Sequence, residues 1–313
     1  LFLSAPASHR DLPSSPHRRA SVLTAIGSVV LAATLPVVAQ GKLKIAWELT
    51  EGVKAPESAY YDAKTGHLFI SQIGEGGGKA KDRDGWISQL KLDGSVVKDR
   101  WFSGLHAPKG MRSHQGILWV ADIDRLVGID IASSNTHRVF NIAGAKFLND
   151  VAAGPTGIIY VSDMTASTIY QMRENRISIL ATGQQLDSPN GLLVSGNTLF
   201  IAGWGKNLTD SFEVSTPGRL LSYNLRTRKL RAITRMPTGN LDGLEFDGRG
   251  GFFVTDWSAG SLFHITAKGA VTSILDLPQG TADLCYIPEK KLLILPRMLE
   301  NRVTAYDLSE FKP

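Results

Sequence analysis

The sequence predicts an all-β fold, a six-bladed β-propeller whose ring is closed by an N-terminal strand. Three observations support this prediction. A strand–turn–strand pattern recurs six times along the chain, and its copies lie 40 to 52 residues apart. The chain has 31 glycines and no long stretch with helical periodicity. Repeats near 40 residues that contain several short strands are the sequence signature of propeller blades.

The clearest repeat spans Leu241 to Asp256. In it, Leu244 to Asp247 alternates between apolar and polar residues, Gly248 to Gly251 supplies a turn, and Phe252 to Thr255 is an apolar run of β-forming residues. The same hairpin is predicted at 149–163 and 189–202, and looser copies start at 56, 108 and 282.

The second residue of each opening defines six equivalent positions, spaced by 52, 41, 40, 52 and 41 residues: Glu57, Lys109, Asp150, Asn190, Asp242 and Asp283. The two longer spacings come from extra segments at 74–85 and 206–217, both between a second and a third strand. Long loops on one face of a rigid ring are common places for binding. The composition of 74–85 also fits an ordinary flexible loop.

The predicted strand Lys44–Glu51 has no partner within its own repeat. The last repeat supplies only three strands, at Asp283–Ile287, Leu292–Pro296 and Arg302–Leu308. We therefore expect the N-terminal strand to complete the last blade, because a closed ring leaves few exposed sheet edges.

Residues 1–39 have the pattern of a secretory signal peptide. Arg18 and Arg19 precede an apolar run from Val22 to Ala39, which ends in small residues. A membrane anchor is the alternative, but glycine, threonine and proline interrupt the run. The predicted organisation is thus a signal peptide at 1–39 and a propeller at 40–313, in a periplasmic or secreted protein.

Charge and cysteine content exclude several classes of protein. The net charge is +5, but without residues 1–39 the chain keeps 31 basic and 28 acidic residues, and its basic residues form no run. We therefore expect no nucleic-acid partner, no stable membrane insertion after signal cleavage, and a monomer. The single cysteine, Cys285, cannot form an internal disulfide and is predicted to be buried and inert.

Four oxygen-bearing side chains are predicted to meet at the mouth of the central channel. Glu57, Asn149, Asn190 and Asp242 stand at the openings of the innermost strands of different blades, and no histidine or cysteine occupies a matching position. Oxygen-only ligation suits Ca²⁺, with Mg²⁺ or Mn²⁺ as further candidates. The alternative is a solvated channel mouth in which Asp-Gly and Asn-Gly are turn residues.

These motifs resemble the family of calcium-dependent lactonases that contains gluconolactonases and senescence marker protein (regucalcin). The resemblance covers roughly 55–308 and implies that Glu57, Asn190 and Asp242 are metal ligands. It also implies that Asn149 contacts metal, water or substrate. Two departures are visible: Pro56-Glu57-Ser58 replaces a family Glu-Gly-Pro, and Phe147 stands where the family has an arginine.

Two further residues are predicted to bind substrate. His106 is the one histidine that we place on the same rim. It could also act as a general base, and the alternative is an ordinary loop residue. Lys109 stands at a position where most other blades carry acids, so it either holds an anionic substrate or forms an ion pair with a carboxylate.

The function predicted from these residues is metal-dependent hydrolysis of lactones or related esters. The metal would activate water and the substrate carbonyl, and Asp242 would act as the catalytic proton acceptor. A non-catalytic propeller that binds a ligand or a partner protein on the same rim is the main alternative, since propellers host both kinds of function. A condensing enzyme similar to strictosidine synthase is a third.

Overall fold

The computed structural model describes residues 43–312. Six four-stranded antiparallel sheets follow one another along this part of the chain, so the predicted six-bladed propeller is confirmed. The predicted signal peptide lies outside the described residues. No helix within the described range is long and apolar enough to cross a membrane.

The first strand, β1 (Lys44–Leu49), belongs to the last blade. Blade 1 contains β2 (Pro56–Asp62), β3 (His67–Gln72), β4 (Gly85–Leu90) and β5 (Val96–Leu105). Blade 2 contains β6 (Pro108–His114), β7 (Ile117–Asp122), β8 (Arg125–Asp130) and β9 (Asn135–Asn141). Blade 3 contains β10 (Leu148–Ala153), β11 (Ile159–Asp163), β12 (Thr168–Arg173) and β13 (Arg176–Thr182).

Blade 4 begins with β14 (Pro189–Ser195) and β15 (Thr198–Gly203). A short two-stranded ribbon follows, made of β16 (Gly205–Lys206) and β17 (Thr216–Pro217), before β18 (Leu220–Asn224) and β19 (Leu230–Ala232) complete the blade. Blade 5 contains β20 (Leu241–Phe246), β21 (Phe252–Asp256), β22 (Ser261–Ile265) and β23 (Val271–Asp276). Blade 6 contains β24 (Cys285–Ile287), β25 (Leu292–Arg297), β26 (Arg302–Asp307) and β1. Short 3₁₀ turns lie at Gln184–Leu186, Pro288–Lys290 and Met298–Glu300.

The N-terminal strand closes the ring as predicted. β1 pairs with β26 in antiparallel fashion and is the outermost strand of blade 6. The indole N–H of Trp47 donates to the Leu92 carbonyl of blade 1 at 2.8 Å, so the strand also contacts the first blade. At the inner end of the same junction, the Asp283 N–H donates to the Glu57 carbonyl at 2.9 Å. The first and last blades are therefore joined at both their inner and outer strands.

The hydrophobic core lies mainly between adjacent blades. One cluster joins Ala152 and Tyr160 of blade 3 to Leu192 and Leu221 of blade 4, and comparable clusters join the other neighbours. Cys285 is buried in the cluster between blades 6 and 1, and burial raises the pKa of its thiol. This placement agrees with the inert role that the sequence predicts.

Candidate active site at the channel mouth

The predicted openings are β-bulges at the starts of the inner strands. In blades 1 to 5 the pairing of the inner strand with its neighbour shifts register between Pro56/Ser58, Pro108/Met111, Leu148/Val151, Pro189/Leu192 and Leu241/Leu244. A bulge bends the strand locally and re-aims its side chains. Glu57, Lys109, Asn149, Asn190 and Asp242 all lie within these irregular stretches.

The glycines that follow three of these residues allow neighbouring inner strands to approach closely. A Cβ at Gly191 would lie 2.0 Å from the Asp242 carbonyl oxygen, and one at Gly243 would lie 2.5 Å from the Leu284 nitrogen. Neither glycine has a positive φ. Gly191 and Gly243 are therefore required by the space between blades rather than by a turn.

Hydroxyl side chains on the second strands hold two of the bulges in place. Ser162 Oγ accepts the Asp150 N–H at 2.8 Å and donates to the Asn190 carbonyl at 2.7 Å. In blade 5, Thr255 Oγ1 accepts the Gly243 N–H at 2.7 Å and donates to a carbonyl of blade 6. Each hydroxyl thus satisfies a buried amide that the bulge frees and links two blades.

We expect Gly191→Ala to destabilise the protein by more than about 2 kcal/mol, because its methyl group would force two inner strands apart. Gly66→Ala is the matched control. Gly66 has φ +75 with open space around its Cβ position, so the substitution should cost only about 1 kcal/mol of backbone strain. Urea unfolding of both variants measures the difference. Equal stability of the two variants would contradict the close approach of the strands.

Four predicted site residues line one cavity of about 850 Å³: Lys109, Asn149, Asn190 and Asp242. The cavity also includes Gly78 from the long loop of blade 1 and Phe212 from that of blade 4. The two loops touch, because Lys79 Nζ donates to the Asp210 carbonyl at 3.0 Å. The loops that the repeat spacing singles out therefore meet over the channel mouth.

Glu57 and His106 do not line this cavity. Glu57 is 4% exposed, and its pKa is raised by burial and by the nearby charge of Asp242. His106 is half-buried, with its backbone N–H donating to Asp122 Oδ1 at 2.9 Å. Burial and the cationic Arg125 lower the pKa of the His106 imidazole. Binding of substrate by His106 stays a prediction.

Buried acids dominate the electrostatics of the site. Burial, followed by the charge of Asp150, raises the pKa of Asp242 to about 8. Burial likewise raises the pKa of Asp150 to about 6 and that of Asp283 well above its usual range. Removing carboxylates from water disfavours their charged form unless a cation compensates. An additional positive charge at the channel mouth would therefore be favourable.

Lys109 is a buried cation close to Asp242 and is 1% exposed. Its Nζ donates to the carbonyl oxygens of Ala107 at 2.9 Å and Gly78 at 3.1 Å, and lies 4.4 Å from the ring centre of Phe147. No carboxylate of the described residues lies within 4.0 Å of it. Burial lowers the pKa of Lys109 to about 8. The sequence left two interpretations of Lys109, an ion pair and substrate binding, and the structure shows no direct ion pair. One of the three ammonium N–H groups is not used by these two carbonyls and could bind a substrate oxygen.

Two atoms at the site have the character of unused ligands. Glu57 Oε2 and Asn190 Oδ1 are buried and accept no hydrogen bond. Buried oxygens without partners are rare, and an ion or a water molecule is one of the explanations for them. Residues 43–312 contain no group of three His, Cys, Asp or Glu side chains placed to hold a metal. Glu57, Asn149, Asn190 and Asp242 would offer a cation both carboxylate and carboxamide oxygens.

The aspartates that end the second strands position the backbone before the next blade. Asp122 accepts the Ala107 N–H at 2.8 Å, and Asp163 accepts the Phe147 N–H at 3.0 Å. Each contact holds the chain two residues before a site residue, Lys109 or Asn149. These aspartates thus act as backbone caps close to the site.

Sequence reasoning missed the aromatic residues of the site. Phe147, Trp204, Phe212 and Trp257 all line the cavity. Phe147 stands where the resembling family has an arginine, and this difference was the one sign in the sequence that the pocket is aromatic. Trp204 and Trp257 come from loops that follow second strands, and no local pattern separates them from core residues.

The fold and the site together define a six-bladed propeller with an acidic, oxygen-rich pocket at one mouth of its channel. Residues 55–295 match the model of the SMP-30/Gluconolactonase/LRE-like region, and the chain belongs to this family. The resemblance that the motifs suggest is thus confirmed. Comparison with curated protein sequences gave no significant match.

Solved structures with the same fold include enzymes of two kinds. A gluconolactonase from Xanthomonas campestris is 14% identical, with a TM-score of 0.64, over 85% of this chain and 93% of its own. A catalytically inactive histidine-to-alanine variant of virginiamycin B lyase from Staphylococcus aureus, with quinupristin, is 12% identical, with a TM-score of 0.58, over 85% of this chain and 99% of its own. A streptogramin B lyase is 10% identical, with a TM-score of 0.59, over 84% and 96% of the two chains. At these identities the similarity shows the fold.

Proposed function

We propose that this protein is a metal-dependent hydrolase of lactones or related esters, with Ca²⁺ as the first candidate ion and Mg²⁺ or Mn²⁺ as alternatives. The observation that carries the proposal is the convergence of Lys109, Asn149, Asn190 and Asp242 on one cavity. Membership in a family that includes gluconolactonases supports the same reaction class.

Glu57, Asn190, Asp242 and Asn149 would hold the ion through carboxylate and carboxamide oxygens. When bound, the ion would polarise the substrate carbonyl and lower the pKa of a water molecule. Asp242 faces the cavity and accepts the proton of the attacking water at a carboxylate oxygen, and it returns this proton to the alkoxide oxygen that leaves when the ring C–O bond breaks. Lys109 keeps one N–H for the carbonyl oxygen on which negative charge develops.

The first test is a lactone panel assayed with Ca²⁺, Mg²⁺ or Mn²⁺ and again after chelation. Ring opening that depends on the ion supports the proposal. A folded protein that hydrolyses no lactone or ester with any of the three ions would exclude it and favour the alternative, a propeller that binds a ligand or partner protein on this rim. We further propose that the protein is exported, to the periplasm or out of the cell, and that it is a monomer. The polypeptide mass of the cell-derived protein tests the removal of residues 1–39, and its native mass tests the monomer.

We expect millimolar Ca²⁺ to raise the melting temperature by about 5 °C, because an ion that is present at about 100 times its Kd and binds only the folded chain contributes ~2.7 kcal/mol. Ligands from separate blades converge only in the folded state. Scanning calorimetry with Ca²⁺ and with EDTA measures the shift. The same scans on Glu57→Gln should show a smaller shift. Melting of the wild-type protein that ignores both additions would contradict the metal site.

A further inference from the structure

One wall of the cavity is aromatic. The rings of Phe147 and Phe212 lie 5.2 Å apart, Phe212 and Trp204 6.5 Å apart, and Trp204 and Trp257 6.0 Å apart. All four line the cavity, together with Met164 and Val214. The wall is therefore continuous from the polar floor at Lys109 to the rim.

Most polar groups of the cavity lie at its floor or at its rim. Lys109, Asn149, Asn190 and Asp242 form the buried floor. Ser211, Glu213 and Gln279 are exposed at the rim. Half-buried Asn240 and Ser258 also line the cavity, and Asn240 Nδ2 already donates to the Trp204 carbonyl at 2.9 Å. Across from the four rings, Ile73, Met298 and Leu299 also border the cavity. The space between floor and rim thus offers few partners for the hydroxyl groups of a sugar acid.

Phe212 is held in the cavity by a strained backbone. Its φ is +64, a left-handed conformation that is uncommon for an aromatic residue. The Trp204 indole N–H donates to the Phe212 carbonyl at 3.0 Å, and Lys79 Nζ lies 4.3 Å from the centre of the Phe212 ring. Strained residues persist where the surroundings fix them, and they concentrate at ligand sites. The contacts from both long loops therefore keep this ring in the wall.

We propose that the cavity selects a lactone or ester with an apolar body, an alkyl chain or an aromatic ring, whose carbonyl reaches the floor while the body packs on the aromatic wall. This inference rests on the proposed function and assigns its substrate class. A volume of about 850 Å³ is much larger than an unsubstituted five-membered lactone requires. Burial of each additional methylene group on the wall should favour binding.

The test compares γ-nonalactone with γ-butyrolactone, which share the reacting ring and differ by a pentyl chain. We expect kcat/KM of the wild-type protein to be at least tenfold higher for γ-nonalactone. Phe212→Asn suits the left-handed backbone and removes the ring. It should lower kcat/KM for γ-nonalactone several-fold more than it lowers kcat/KM for γ-butyrolactone. Phe140→Leu, which changes a half-buried ring on the outer strand of blade 2, should leave the preference intact.

A binding measurement separates this inference from the hydrolase proposal. The lactam analogues 5-pentylpyrrolidin-2-one and pyrrolidin-2-one resist hydrolysis, and calorimetry gives their Kd values without turnover. Tighter binding of the pentyl lactam supports the apolar site even if no lactone is hydrolysed. Equal binding of the two lactams, or faster turnover of glucono-δ-lactone than of γ-nonalactone, would overturn the apolar substrate class while leaving the hydrolase proposal intact.

Discussion

Asp242→Asn is expected to lower lactone turnover by 10² to 10⁴-fold, on the order of the loss of a positioned base. The substitution keeps the size of the side chain and one oxygen donor, but it removes the charge and the proton-accepting oxygen. Metal affinity should fall only moderately. Steady-state kinetics at saturating Ca²⁺ distinguishes a loss of catalytic turnover from a loss of metal affinity.

Two further variants sharpen this prediction. Glu57→Gln should act mainly through lost metal affinity, because Glu57 does not line the cavity, and excess ion should partly restore its turnover. Asp276→Asn is the matched control, since Asp276 is an exposed residue on the outermost strand of the same blade. Full activity of both Asp242→Asn and Glu57→Gln would exclude the catalytic assignment.

A chain that begins at Pro56 is expected to be less stable than one that begins at Gln40 by at least about 3 kcal/mol. It would lack β1, which pairs with β26 from Lys44 to Leu49 with one irregularity between Ile45 and Trp47. Loss of β1 exposes the edge of β26 and removes the packing of half-buried Trp47 and Leu49. Urea unfolding of the two chains measures the difference.

Trp47→Ala provides a graded comparison, because it removes the packing and the indole hydrogen bond to Leu92 while leaving the strand pairing in place. We expect its stability to fall between those of the two chains. Equal stability of the chains that begin at Gln40 and Pro56 would mean that β1 contributes nothing to the closed ring.

The repeat pattern predicted the architecture because the strands of each blade come from one continuous stretch of sequence. The run Phe252–Thr255 and its copies mark second strands, and the observed β21 extends that run by one residue to Asp256. The unpaired segment Lys44–Glu51 and the three-stranded last repeat together predicted the closure, which β1 and β26 confirm. The two longer spacings also placed the rim loops correctly, because 74–85 lies between β3 and β4 and 206–217 lies between β15 and β18.

The strand bounds at the site were predicted less well. The first strand of the clearest repeat was expected at Leu244–Asp247, whereas β20 spans Leu241–Phe246. A bulge allows pairing to begin before Asp242 and to resume at Leu244. Bulges depend on contacts with two neighbouring strands, and the sequence of one repeat does not show which residues of the next repeat it contacts.

The sequence alone thus determined the number of blades, the closure of the ring and the rim that carries the acids, because each follows from short-range periodicity and from the spacing of repeats. Only the tertiary structure decided how the site is built. It placed Lys109 against two carbonyl oxygens, required Gly191 because the next blade lies close, and brought Phe147 of blade 3 against Phe212 of blade 4. These are contacts between residues far apart in the chain, and their geometry exists only once the six blades have closed around the channel.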